Sequence, residues 1–174
     1  MSSNLTNIIK PVDAMFIIGH HLLTKEGFQV YEELNGMDLF GINNEQNTIE
    51  IEIKSNCYDL YKEHVKKAKK HWDYNSTYPS GPNRFYFLVN KTIVEKTFRY
   101  IKKQGWDKYG IIYYDVNSGE FDIAKKGELL HEVQFDGGLA EKPFNDFKHK
   151  RNPLFTVKNV TIKGQSLEYQ IDRQ

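Results

Sequence analysis

Asp38, Glu52 and Lys54 are the residues of this chain whose types and spacing could do chemistry. Glu52 and Lys54 belong to the run Ile49-Glu50-Ile51-Glu52-Ile53-Lys54, in which apolar and charged side chains alternate strictly. That is the period of a β-strand with one buried face: Ile49, Ile51 and Ile53 point into a core, and Glu50, Glu52 and Lys54 point the other way. Asp38 lies in a second strand-like run, Met37 to Asn43, and the polar stretch Asn43-Asn44-Glu45-Gln46-Asn47 between the two reads as a hairpin loop. A loop centred on Glu45 sets Asp38 directly opposite Glu52, on the face that carries Lys54.

Two carboxylates opposite each other in an antiparallel pair have Cβ atoms ~5 Å apart and repel. A divalent cation between them turns that repulsion into binding. Oxygen-only ligands suit Mg²⁺ (or Mn²⁺), which takes one or two carboxylates and completes its shell with water and substrate phosphate. Lys54, ~7 Å along the strand from Glu52, is placed to hold a nucleophilic water or to neutralise charge developing on a phosphoryl group. The bland alternative is a solvated strand face of mixed charge, and a loop one residue shorter or longer would break the register.

The elements that must position these residues follow from periodicity and punctuation. Pro11 to Glu26 reads as a helix, with Pro11 in its first turn, Gly27 as its stop, and Met15, Ile18, Leu22 and Leu23 as an apolar stripe. Strands are expected at Phe28 to Leu34, Met37 to Asn43 and Thr48 to Ser55. A helix is expected over Asp59 to Tyr74, with Tyr58, Tyr61, Val65, Ala68 and Trp72 on one face and Lys62, Lys66, Lys69 and Lys70 largely on the other. Arg84 to Asn90 is nearly all apolar, as befits a strand buried on both faces. Thr92 to Gln104 reads as a helix capped by Thr92 and stopped by Gly105. A hairpin follows, Tyr109 to Val116 with Glu120 to Ala124. Leu129 to Phe135 fits strand or helix, Gly137 to Asn152 a loop, and Phe155 to Ile162 with Leu167 to Ile171 a terminal hairpin around Gly164. The order predicts an α/β (α+β) sandwich on a mixed sheet.

The 174 residues, 39% hydrophobic and 27% charged, suffice for one domain with a proper core and a small appendage. No apolar run is long enough to cross a bilayer, the polar N-terminus lacks the marks of a signal peptide, and a lone Cys57 excludes an internal disulfide and Cys-cluster zinc sites. These features predict a cytoplasmic protein with no membrane partner. The net charge of +1 argues against a protein living by non-specific nucleic-acid affinity.

The order helix, three-stranded meander, helix, strand, with an Asp at the second strand and Glu-x-Lys on the third, resembles the PD-(D/E)XK nuclease superfamily. The resemblance rests on Asp38 and Glu52-Ile53-Lys54 and covers roughly Pro11 to Ala124. It implies a restriction-endonuclease-like core (αβββαβ, residues 11–124) and a C-terminal extension (residues 125–174) that packs on the core or mediates assembly. Ser55 after the lysine, the helix behind it and the Phe85-Tyr86-Phe87-Leu88-Val89 strand are similar to small bacterial members associated with DNA repair. Met37 stands where many members have Pro. The first helix offers only Glu26 where many members carry a metal-binding Glu, so Glu32 or Glu33 on the first strand is the substitute, Glu33 being the candidate extra ligand. The helix after Lys54 has no Gln, unlike the recombination-exonuclease branch.

The resemblance implies a Mg²⁺-dependent nuclease that hydrolyses DNA phosphodiester bonds, with RNA not excluded. Asp38, Glu52 and the Ile53 carbonyl would bind metal, Lys54 would assist the water, and Glu50 would be a supporting residue. Double-strand cutting by one small domain usually takes two copies, which a homodimer would supply; the sequence itself leaves the oligomeric state open. Lys66, Lys67 and Lys70, in the densest basic run, would contact the phosphate backbone, as a solvated helix face also explains. Lys148 to Arg151 is a further basic stretch. His20 and His21, adjacent on a helix, diverge by ~100° and cannot easily share an ion. The alternatives are a nuclease-fold module that binds nucleic acid without cutting it, and a protein-interaction module.

Overall fold

The computed structural model describes residues 10–33, 36–76, 81–135, 156–163 and 165–172. The fold is mixed α/β, a six-stranded mixed sheet flanked by four helices. Its order is α1 (Pro11–Lys25), β1 (Gln29–Glu32), β2 (Leu39–Ile42), β3 (Thr48–Lys54), α2 (Cys57–Lys66), α3 (Ala68–Tyr74), β4 (Arg84–Asn90), α4 (Val94–Gln104), β5 (Gly110–Tyr114) and β6 (Phe121–Lys125). The strands lie side by side in chain order. β1, β2 and β3 form an antiparallel meander, β3, β4 and β5 run parallel, and β6 returns antiparallel. A separate hairpin pairs β7 (Thr156–Lys163) with β8 (Ser166–Asp172). Its Gln165 accepts the Phe121 N–H through its carbonyl and donates to Asp122, holding the hairpin to the β6 edge.

Alternation along the strands builds two cores. Ile49, Ile51 and Ile53 pack with Leu88 and Ile112 beneath the α1 residues Ala14, Met15 and Ile18. Gly19 lets α1 approach the sheet, because a Cβ there would collide with Leu39. On the opposite face Phe85, Phe87, Val89 and Ile111 pack with Leu60, Tyr74, Tyr100, Ile101, Trp106 and Tyr109 beneath α2, α3 and α4. Every residue of β3 is buried. The solvated face weighed as the bland alternative for that strand is instead covered by α2 and α3, and Glu50, Glu52 and Lys54 are among the buried residues.

Other expectations shift for local reasons. The helix expected over Asp59 to Tyr74 starts earlier, because the Asn56 side chain accepts the Asp59 N–H at 3.0 Å, and breaks at Lys67 (φ −125°, ψ 30°). Asn90, not Thr92, caps the turn before α4: its side chain accepts the Thr92 N–H, and residues 91–93 form a 3₁₀ turn. Residues 129–135 are neither strand nor helix. Their backbone is pinned by Asn83, whose side chain donates to His131 O and Val133 O and whose carbonyl accepts the Leu130 N–H. The loop expected over Gly137 to Asn152, the basic stretch Lys148 to Arg151 and the turn at Gly164 lie outside the described residues. Among the described residues no helix is long and apolar enough to cross a membrane.

Candidate functional site

The β2–β3 register is the expected one: Leu39 faces Ile51 and Phe40 faces Glu50, and the loop closes symmetrically with Asn43 N–H donating to Asn47 O. Asp38 sits one residue before β2. Its Oδ2 accepts the Ile53 N–H at 2.7 Å, which ties it to the strand that carries Glu52 and Lys54. The other contribution from Ile53 is thus an amide N–H to an acid. Glu33 touches the same corner through its backbone, a positive-φ residue (53°) whose N–H donates to Asp38 O at 2.9 Å.

Above the sheet, Leu60, Glu63, Lys67, Lys70 and Tyr74 fall at helical spacing on the faces of α2 and α3 turned to β3. Lys54 Nζ lies 3.0 Å from Glu52 Oε1 and 2.7 Å from Glu63 Oε2. Lys70 Nζ is 3.1 Å from Glu52 Oε2 and also ion-pairs Glu50. Lys67 Nζ contacts Glu52 Oε1 and donates to Gly36 O at 2.9 Å. Glu50, fully buried, accepts the Tyr74 hydroxyl at 2.6 Å. Behind Glu63, His71 Nε2 lies 2.9 Å from Glu63 Oε1 and Nδ1 2.8 Å from the Tyr109 hydroxyl.

The electrostatics follow from burial among mixed charges. Burial and then the Glu52 charge push Asp38 up to about 6, against the Ile53 N–H and the nearby Lys67 and Lys54. Burial also opposes ionisation of Glu52, yet Lys70, with Lys54 and Lys67, outweighs it and the repulsion of Glu63, and Glu52 falls below the usual range. Burial opposes Glu63 likewise, but the hydrogen bond from His71 and the charge of Lys54 hold it at about 2. Burial pulls His71 down. It is therefore neutral at pH 7, donating from Nε2 and accepting the Tyr109 hydroxyl at Nδ1. Glu50 is pushed up, chiefly by burial. Lys54 is raised because Glu52 and Glu63 overcome its burial.

Of the expected site residues, Asp38, Glu52 and Lys54 are brought together. Lys67 and Lys70 join them, not as a phosphate-facing surface but as counter-ions of the acids; Lys66 points to solvent. His20 is exposed and His21 meets Phe121 edge-on. Sequence reasoning missed Glu63, His71 and Tyr74. Their signal was the charged stripe Glu63, Lys67, Lys70, passed over because the apolar stripe on the other side of the helix pair looked like the buried one. That stripe is the exposed one: Tyr58, Tyr61, Val65 and Trp72 are 67%, 45%, 70% and 72% exposed.

Among the described residues no group of three or more His, Cys, Asp or Glu side chains is arranged to hold a metal. Mg²⁺ needs only one or two carboxylates. Asp38 and Glu52 repel each other, and the Lys67 ammonium contacts Glu52 Oε1 and the Gly36 carbonyl beside them. That oxygen donor set already accepts a hard cation and fits a divalent one. With all acids ionised, four carboxylates (Asp38, Glu50, Glu52, Glu63) face three ammonium groups (Lys54, Lys67, Lys70).

No family model matches the chain, and no curated protein matches it. Among solved structures, a protein of unknown function from Silicibacter pomeroyi is similar, with a TM-score of 0.49 and 16% identity over 74% of this chain and 78% of that one.

Proposed function

We propose that this chain is a metal-dependent nuclease of the PD-(D/E)XK type, acting on phosphodiester bonds of DNA. The observation that carries the reading is the convergence of Asp38 and Glu52 from adjacent strands, with Lys54 in contact with Glu52. Burying Glu52 and Lys54 in the sheet beside the half-buried Asp38 is costly, and the composition of the three suits phosphoryl chemistry.

Asp38 and Glu52 would hold Mg²⁺, and when bound the ion would supply Lewis acidity at the scissile phosphate and acidify a water. Lys54, kept protonated by Glu52 and Glu63, would donate hydrogen bonds to that water or to the phosphoryl oxygens. Glu63 and the neutral His71 are positioning residues that fix the ammonium of Lys54. Lys67, the most exposed of the three lysines in the site, is free to swing from Glu52 toward a phosphate once another cation balances the acids.

A second reading has its own observation. Three ammonium groups already compensate Glu52, which is how a nuclease fold that binds nucleic acid without cutting would look. Nicking of supercoiled plasmid with Mg²⁺, Mn²⁺ or EDTA separates the two. Metal-dependent nicking lost in Asp38→Asn and in Lys54→Ala supports the nuclease; nicking absent from the wild type, with plasmid still bound, supports the binding module.

A further inference from the structure

The face of α2 and α3 turned away from Glu52 carries the exposed stripe Tyr58, Tyr61, Val65 and Trp72. Exposed apolar side chains of this size, three on α2 and one on α3, mark a place where something docks. Beside the stripe lies an open cavity of about 490 Å³ between α2–α3 and the C-terminal end of α4. Trp72 forms one wall, Trp106 lies across from it, and Asn75, Ser76 and Gln104 supply polar edges. The side chain of Gln104 has no hydrogen-bond partner among the described residues, so its amide is available to a ligand. His64, which also lines the cavity, donates its backbone N–H to the Tyr100 hydroxyl, and the Tyr100 ring lies 5.5 Å from Tyr61.

Charge selects the occupant. Among the described residues, the exposed charged positions of α2, α3 and α4 are Lys66, Lys69, Lys96, Arg99, Lys102 and Lys103 against the acid Glu95, with Asp59 and Asp73 half-buried and Lys69 ion-paired to Asp73 at 2.7 Å. The chain as a whole is nearly neutral at +1, so this is a localised basic field. A second copy of the chain docking by two-fold symmetry would set that field against itself. A polyanion with aromatic faces matches both the charge and the indole. Duplex DNA presents its bases only by edge, whereas an unpaired strand offers faces that stack.

We infer that this groove binds an unpaired segment of nucleic acid, one base against Trp72 with its edge toward Gln104, and the phosphates along the basic rims of α2–α3 and α4. The inference deepens the nuclease reading by naming an unpaired strand as the substrate class, and rests on that reading only for what the strand is held for. The groove and the acid cluster occupy opposite sides of the same helix pair, one helix diameter or ~10 Å apart, so a strand crossing the break at Lys67 reaches both. His71 links them physically, its ring stacked 4.2 Å from Trp106 on the groove side and its Nε2 on Glu63.

The test is fluorescence anisotropy of a labelled oligonucleotide, single-stranded and as duplex, in EDTA, with wild type, Trp72→Ala and Asp38→Asn. The expected result is at least tenfold preference for the single strand. Trp72→Ala should weaken binding about tenfold at unchanged melting temperature, since the indole is exposed. Binding should also quench tryptophan emission in the wild type, and much less so when only Trp106 remains. Equal affinity for duplex and single strand, unchanged binding by Trp72→Ala, or a dimer in solution that Trp72→Ala dissolves would each overturn the inference. Asp38→Asn keeps the groove: if it binds as wild type yet still cleaves, the nuclease reading fails while the strand site stands.

Discussion

The Oδ2 atom of Asp38 accepts the N–H of Ile53 at 2.7 Å, so a carboxylate just outside the β2–β3 ladder is fixed to the strand that carries Glu52 and Lys54. This bond aligns two like charges that would otherwise turn apart. Burial first and the Glu52 charge second push the Asp38 carboxyl up to about 6.

Asp38→Asn should therefore stabilise the metal-free protein while abolishing cleavage. The asparagine carbonyl oxygen can keep the Ile53 N–H, and the repulsion goes. A carboxyl whose folded pKa is raised destabilises the fold increasingly as pH climbs from its ordinary value of 3.8, and in full above about pH 6. The rise from 3.8 to about 6 corresponds to roughly 3 kcal/mol, so a gain of about 1–3 kcal/mol is expected near neutral pH in EDTA. It should vanish below about pH 3, where both the native and the unfolded aspartate bind the proton. Urea melts across that range measure it, and a variant less stable than wild type at neutral pH would show that Asp38 is not under electrostatic strain.

If Glu52 binds the proposed metal ion, the Lys67 ammonium that contacts Glu52 and the Gly36 carbonyl competes with it. Removing a positive charge from a cation site strengthens binding of the next cation. Lys67→Met should raise Mg²⁺ affinity about tenfold, a change of about 1.4 kcal/mol, in calorimetric titration without DNA. Cleavage at saturating metal should fall if the released ammonium serves the phosphate. Unchanged affinity would mean that Lys67 and the ion do not compete.

Glu63 is a positioning residue with a stability role. Its depressed pKa, about 2, means that its contribution is fully present above its ordinary range near 4.5 and is lost as pH falls toward 2. Glu63→Gln should cost about 3–5 kcal/mol at pH 7, because Lys54 loses a buried partner, and should flatten the acid limb of stability below about pH 4.5. Because Lys54 still has Glu52, the rate loss should appear in kcat rather than KM. An acid limb as steep as that of the wild type would assign the titration to another group.

The Asp38–Glu52 pairing was legible in the sequence because it depends only on strand alternation and on a loop centred on Glu45, both local. The positions of α1, the meander and the buried β4 were legible for the same reason. What covered β3 was not. Along α2 and α3 two stripes compete, one aromatic and one charged, and periodicity marks both without saying which turns inward. Hydrophobicity favoured Tyr58, Tyr61, Val65 and Trp72, but partners decide: Glu50, Glu52 and Lys54 on the sheet need countercharges, and only Glu63, Lys67 and Lys70 supply them. The break at Lys67 and the pinning of residues 129–135 by Asn83 depend on contacts remote in sequence and carry no local signature.

Glu50 offers the sharpest separation of architecture from chemistry. It is fully buried, one strand position deeper than Glu52, and held by the Tyr74 hydroxyl at 2.6 Å and by Lys70. Tyr74→Phe removes one hydrogen bond to a charged group, which costs about 1.5–3 kcal/mol, and leaves Lys70 drawn more toward Glu50. Lys70→Met removes the counter-ion of two carboxylates and should cost about 3–5 kcal/mol. If Glu50 is structural and Glu52 binds metal, Mg²⁺ at saturating concentration should recover part of the stability lost in Lys70→Met, because the ion compensates Glu52. It should recover none of the loss in Tyr74→Phe, because Glu50 lies out of the ion's reach. Thermal melts of both variants with Mg²⁺ and with EDTA measure this directly. Equal recovery in the two would place Glu50 in the metal site and reassign the acid that Lys70 serves.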